Sequence, residues 1–448
     1  MTTAAARLIT LITLAACGPV GRRLAPPAAP AAVALLVLAP HPDDETLMAA
    51  GLLDATLHGG GRAAVVVMTN GDYTCARDGH LRQRESVAAM RVLGVAEDDV
   101  HFLGYPDGYL ARLGDTPLAP IERRAADGSC DRATGTYADR GHGRADVHRE
   151  RTGTAGAYTA AEAAGDLGAL LGRLRPRAIV VAHGIDDHPD HAQTYVLLRR
   201  AIDAGALPGP VHLRRAIVHA GPCWPNGNST HAPCPEAHFD PTSPRPALPA
   251  PLDGYAPTER VPVPAAMRAV APGENLLLRA LENYRSQVDP DLAHDWLVTF
   301  ARADEGFHDE VLVRDAANPA RFVREGGALA PRVRFRVRCA TGAGAVLRVG
   351  ATDAAWSFTL ADDHGTATLA PPRGVPRPLP LPEDRDDRAH TYELRFDARA
   401  DDGGFVEASV YRDGDFFALS VAHGPSPDTA RVTVEASGGC TVARLSGP

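Results

Sequence analysis

Uninterrupted apolar runs alternate with helix-spaced apolar positions through roughly residues 33–308 of this chain. Leu35 to Ala39 is one such run. Behind it Leu47, Ala50, Leu53 and Leu57 recur at the spacing of one helix face between Thr46 and Leu57. The pattern predicts further strands at Ala63 to Thr69, near Val100, at Ala178 to Ala182 and at Val211 to Val218. Helices are predicted at Gln83 to Leu93, Ala160 to Leu174 and Ala192 to Ala204. Strands and helices that alternate in this way build an α/β fold, a Rossmann-like, mostly parallel sheet with helices on both faces. Two segments interrupt it, Ala111 to Gly156, rich in Gly, Asp and Arg, and the Pro-rich Gly221 to Pro264. Both are long for connections and both follow strands, which makes them candidate walls of a cleft.

From about Val333 the period becomes two. Val333 to Arg338, Tyr392 to Phe396 and Val406 to Tyr411 alternate apolar with polar residues between Gly- and Pro-rich breaks, the pattern of an antiparallel β-sandwich. Asp413-Gly414 reads as a hairpin turn in preference to a calcium loop through Asp413 and Asp415. Trp356 and Tyr411 read as core aromatics before they read as sugar-stacking platforms. Architecture alone suggests that a module of this kind binds glycan.

Two polar clusters stand where strands end. Leu35 to Ala39 runs into His41-Pro42-Asp43-Asp44-Glu45, and Ala178 to Ala182 runs into His183 and then Asp186-Asp187-His188-Pro189-Asp190-His191. In a parallel sheet both clusters emerge at the carboxyl edge, where open α/β sheets place their sites. Histidine with aspartate suits a divalent metal, and a catalytic zinc takes three protein ligands and leaves a position for water. Acids at a helix start also complement the helix dipole, the role expected for Glu45. His58, His101 and His219 read as surface or core residues.

These residues, with Thr69-Asn70-Gly71-Asp72, Arg82 to Glu85, Leu103 to Gly108, Tyr284 to Gln287 and Glu305-Gly306-Phe307, resemble the signatures of the PIG-L (LmbE-like) metal-dependent de-N-acetylases. The resemblance implies that His41, Asp44 and His191 hold the metal, that Asp43 is the general base, and that His188 stabilises or protonates the tetrahedral intermediate. A cationic imidazole at His188 would offset oxyanion charge. It further implies that Arg82 and Asp107 contact substrate. Asp186 and Asp190 are candidates for orienting the ligands from behind. The implied cofactor is Zn2+, with iron or cobalt able to occupy the same ligands. The implied reaction removes the N-acetyl group from an N-acetylglucosamine-type glycan, glycolipid or glycoconjugate. An amidase acting on a larger acyl group is the alternative within hydrolases, and a non-catalytic sugar-binding surface protein the alternative outside them.

The amino terminus and the cysteines bear on compartment. The short apolar run Leu8 to Ala16 ends at Cys17-Gly18, which resembles a lipoprotein-type export signal over residues 1–17 with lipidation at Cys17 and a Pro/Ala-rich linker over 18–32. An exported chain, anchored to a membrane only through that lipid or else secreted, is the expectation. The other six cysteines suggest disulfides, and the pairing that keeps each bond within one structural unit is Cys75 with Cys130, Cys223 with Cys234 and Cys339 with Cys440. At 448 residues the chain is too long for one ordinary core, so the metal-dependent domain at 33–308, a linker at 309–330 and a β-sandwich at 331–448 are expected. A net charge of −9 argues against a nucleic-acid partner.

Overall fold

The computed structural model describes residues 32–445, apart from 120–132, 139–144, 227–233, 289–294, 317–318, 320, 326–329, 341, 353, 361–365, 373–376, 381–387 and 399–403. The expected export signal, Cys17, the linker at 18–32 but for its last residue, and Cys130 lie outside the described residues.

An eight-stranded sheet organises the first part. β1 (Leu35–Ala39), β2 (Ala63–Thr69), β3 (Val100–Tyr105), β4 (Ala178–Ala182) and β5 (Val211–Ala216) are parallel to their neighbours in the order β3-β2-β1-β4-β5. β1, β2 and β3 are buried at every position, as strands covered on both faces must be, which is why their sequences are continuous apolar runs instead of alternating ones. The chain leaves β1 towards β2 and β3, then returns to lay β4 on β1's other side. That reversal opens a crevice at the carboxyl ends of β1 and β4, the topological switch point.

The covering helices follow the sequence periodicity closely. α1 (Asp44–His58) follows β1, α2 (Ala76–Val92) follows β2, the short α3 (Val147–Thr152) comes after β3, and α4 (Ala160–Leu174) begins on an N-cap, Thr159, whose hydroxyl accepts the N–H of Glu162 at 3.1 Å. Ala163, Leu167, Leu170, Leu171 and Leu174 make its buried face. α5 (Pro189–Asp203) starts with Pro189 just inside its end, where the missing N–H costs nothing. α2 begins seven residues before the predicted Gln83, because its first turns are polar and carry no apolar period. α1 is kinked at Ala49 (φ −151°, ψ 23°), and the Glu305 carboxylate accepts the N–H groups of Gly51 (2.7 Å) and Leu52 (3.0 Å) just after the kink.

Three antiparallel strands complete the sheet: β6 (Glu259–Pro262), β7 (Asp304–Arg314), which pairs with β5, and β8 (Phe322–Arg324). The sheet therefore runs into the segment expected to be a linker at 309–330, which holds the end of β7 and all of β8. Glu310 and Arg324 disguise these strands in the sequence, because they are charged yet buried among counter-charges.

The remaining chain forms the expected β-sandwich of two five-stranded antiparallel sheets. One contains β10 (Ala345–Val349), β11 (Trp356–Leu360), β12 (Thr366–Ala370), β13 (Arg377–Pro380) and β17 (Val432–Ala436). The other contains β9 (Arg332–Cys339), β14 (His390–Ala398), β15 (Phe405–Arg412), β16 (Asp415–His423) and β18 (Cys440–Leu445). Phe335, Leu347, Phe358 and Leu394 fill the space between them. Cys339 and Cys440 face each other on β9 and β18 and are disulfide-bonded, as are Cys223 and Cys234. Cys75 is also disulfide-bonded. Asp413 (φ 53°) and Gly414 (φ 101°) form the β15–β16 turn, and the Asp413 carboxylate accepts the N–H of Thr391 at 2.7 Å. Trp356 and Tyr411 are buried, so neither offers a face to a ligand.

Candidate metal centre

The two polar clusters meet at the switch point. His41 Nδ1, Asp44 Oδ2 and His191 Nε2 form a nearly equilateral triangle with sides of 3.1, 3.2 and 3.1 Å. Zinc bonds of 2.0–2.1 Å in a tetrahedron place ligand atoms about 3.3 Å apart, so this donor set fits such an ion without rearrangement.

Each imidazole is gripped from behind. His41 Nε2 faces Asp190 Oδ2 at 3.2 Å and Asp107 Oδ1 at 3.3 Å, and His191 Nδ1 lies 3.2 Å from Asp186 Oδ1. This arrangement directs the other nitrogen of each ring inward and raises its basicity as a ligand. Asp190 is fixed by the N–H groups of Gly108 (2.6 Å) and Leu110 (3.0 Å). Asp186 Oδ1 also accepts the N–H of His188 at 3.0 Å, and its Oδ2 accepts those of Val218 (2.7 Å) and His219 (3.0 Å).

The electrostatics suit a cation. Burial works against charge on both imidazoles, yet Asp107, Asp190 and Asp44 hold His41 well above its ordinary range, and Asp44 and Asp186 raise His191 to about 10. Burial opposes ionisation of Asp44 and Asp186 as well, but His191 beside each keeps them low, Asp186 at about 2. These carboxylates favour positive charge at the centre of the triangle.

Asp43 stands beside this group at φ 140°, a value that disfavours any side chain beyond glycine. Its N–H donates to Glu45 Oε2 at 3.0 Å, and Ser86 (2.5 Å) and Tyr284 (2.8 Å) donate to Glu45 Oε1. Glu45 thus has the structural role expected of it, though as an anchor for its neighbour more than as a complement to the helix dipole. Burial and the Asp44 carboxylate push Asp43 up to about 8; a divalent cation acts in the opposite direction.

His188 is the N-cap of α5, and its ring lies 4.7 Å from that of His41 and 4.9 Å from that of His191, centroid to centroid. Its Nδ1 accepts the N–H of Asp190 at 3.2 Å, which leaves the ring proton on Nε2. Burial and the neighbouring imidazoles His41 and His191 lower it to about 4. With its proton on Nε2, His188 is able to donate a hydrogen bond in its neutral form.

Arg82 and Asp107 are at the site and engaged with its framework. Arg82 donates to Pro42 O (3.2 Å), Gly71 O (3.2 Å) and Asp107 Oδ2 (3.3 Å), and lies 3.5 Å from Asp43 Oδ2. His183 turns away: its Nδ1 accepts the N–H of Ile185 at 3.1 Å and its Nε2 lies 3.3 Å from the Tyr255 hydroxyl. His219, read from sequence as surface or core, packs 4.9 Å from the His191 ring and stacks on Trp296 at 5.1 Å. Its position just past the end of β5, on the same edge as the other clusters, was the available signal.

Known proteins similar to this chain are found among solved structures and family models. No curated protein matches the chain. Among solved structures, N,N'-diacetylchitobiose deacetylase from Pyrococcus horikoshii is 18% identical, over 61% of this chain and 82% of its own, with a TM-score of 0.35. A conserved protein of Thermus thermophilus is 23% identical over 57% and 80%, TM-score 0.32, and teicoplanin deacetylase Orf2 in its zinc-inhibited form is 19% identical over 57% and 84%, TM-score 0.33. The model of the PIG-L family, described as GlcNAc-PI de-N-acetylase, matches residues 36–202, the segment from β1 to the last turn of α5 that contains all five clustered site residues. Residues 36–202 are thus a PIG-L family domain, and the β-sandwich beyond them is assigned to no family.

Proposed function

We propose that this protein is an exported metal-dependent de-N-acetylase acting on an N-acetylglucosamine-type glycan, glycolipid or glycoconjugate. His41, Asp44 and His191 would hold the metal, with zinc the ion that suits two imidazoles and a carboxylate. The observation that carries this reading is the donor triangle of 3.1–3.2 Å sides in which each imidazole's outer nitrogen faces a carboxylate. The disulfides Cys223–Cys234 and Cys339–Cys440 support an oxidising compartment.

When bound, the metal supplies polarisation of the amide carbonyl and a water acidified towards neutrality. The chain supplies the rest. Asp43, next to a ligand and not itself one, takes the proton from the attacking water and returns it to the leaving nitrogen as the C–N bond breaks, giving acetate and a free amine. His188, neutral with its proton on Nε2, donates a hydrogen bond to the developing oxyanion. Arg82 holds the Pro42 carbonyl and Asp107, and so keeps the strained turn at Asp43 in place.

The test is acetate release from a panel of N-acetylglucosamine glycans and conjugates, with and without chelator and with Asp43→Ala as control. Release that requires metal and Asp43 supports the reading, and its absence across the panel despite bound metal refutes it.

A further inference from the structure

We infer that the β-sandwich is a brace for the metal-ligand helix α5 and its preceding loop, so that zinc affinity depends on side chains of the sandwich distant in sequence from every ligand. The inference rests on the metal-site reading above.

Two sets of contacts join α5 and its loop to the sandwich, and a third joins the neighbouring strand β5 to it. Leu419 of β16 presses on Gly184, in the turn between β4 and His188. A Cβ there would lie 3.1 Å from Leu419 Cδ2 and 2.8 Å from Tyr195 Cδ1, so only glycine admits this approach. On the helix, Arg200 Nε donates to the carbonyl of Phe416 at 3.0 Å, while the Arg199 guanidinium lies 4.4 Å over the Phe416 ring and donates to the Tyr195 hydroxyl at 3.0 Å. Beside them Arg215 of β5 donates to Glu407 of β15 at 2.8 Å, both side chains being buried.

The apolar surface is continuous as well. Phe405, Tyr411, Phe416 and Leu419 belong to the core of the α/β sheet, not to the sandwich's own interior. A buried ion pair such as Arg215–Glu407 contributes little net stability but tolerates only one geometry. Together these contacts fix the angle at which α5 leaves β4, and hence the place of His188, Asp190 and His191 at its first turn. Packed interiors transmit such displacements instead of absorbing them.

The experiment compares Leu419→Ala with Leu347→Ala in the full-length protein, reading zinc affinity by chelator competition alongside the melting temperature. Leu347 is buried in the sandwich's own core, so its truncation is the control for a cavity of the same size elsewhere. Both variants lower the melting temperature. Leu419→Ala is expected to weaken zinc binding about tenfold or more, the scale of losing a ligand-orienting contact, and Leu347→Ala to leave it within about twofold. Leu419→Met, which keeps the volume, restores affinity. If Leu419→Ala does not fold, Leu419→Val carries the same comparison, with a loss of about threefold expected. Zinc affinity equal in Leu419 and Leu347 variants overturns the inference and leaves the metal site standing. Failure of the wild-type protein to bind zinc overturns both.

Discussion

Glu45 accepts the backbone N–H of Asp43 at 3.0 Å and thereby holds its neighbour at φ 140°. A conformation so disfavoured costs on the order of 1–3 kcal/mol and persists only where surrounding contacts impose it. Ser86 and Tyr284 fix the other oxygen of the same carboxylate, so the constraint reaches Asp43 from α2 and from the segment after α6 (Leu276–Leu281).

Glu45→Gln should let this turn relax. Its amide nitrogen cannot accept from Asp43 and from the two hydroxyls alike, so kcat is expected to fall about tenfold, worth about 1.4 kcal/mol, with zinc content unchanged. Steady-state kinetics with metal analysis of the same preparation checks it.

Asp43→Asn keeps the shape and removes the base, and kcat should fall by about 10²–10⁴. His188→Ala removes one oxyanion donor, for an expected loss of about 10²–10³ in kcat. Both variants should retain zinc, which distinguishes them from His191→Ala.

Asp186→Ala strips His191 of its carboxylate and orphans the N–H groups of His188, Val218 and His219. Zinc affinity should drop about 10–100-fold, measured by chelator competition.

The buried carboxyl of Glu305 is pushed up to about 7 by burial, with the N–H groups of Gly51 and Leu52 and the charge of Arg245 opposing. An acid raised in the fold keeps its proton after the unfolded chain has lost it. Its contribution is therefore complete below about pH 4.5 and disappears as pH rises to 7, by about 3 kcal/mol. Glu305→Gln should flatten that part of the stability profile, so the difference between variant and wild type in denaturant unfolding changes between pH 4.5 and 8.

Removing Cys339–Cys440, which closes a 101-residue separation, should cost about 2–5 kcal/mol. Unfolding of the Cys339→Ser/Cys440→Ser protein in denaturant reads this directly.

Much of this molecule was legible in the sequence because its strands announce themselves. β2, α4 and β4 occur at the predicted residues, and the polar clusters behind β1 and β4 converge because a parallel sheet sends both to one edge. What pattern reasoning missed was charged and buried. Glu310 and Arg324 made a strand pair look like a linker, since their partners lie on elements distant in sequence. His219 carried no motif, and only the fold brings its ring beside His191. The lowered pKa of His188 comes from burial and from the His41 and His191 rings, which only the fold brings beside it.

His41 and His191 are 150 residues apart, behind strands β1 and β4 that become neighbours only because the strand order reverses at β1. On the proposed ligand set, the first half of the chain supplies His41 and Asp44 but not His191, so it cannot complete the site alone. On that reading, metal capture would follow the slow, non-local pairing of β1 with β4. Zinc uptake during refolding should for this reason serve as a clock for completion of the central sheet.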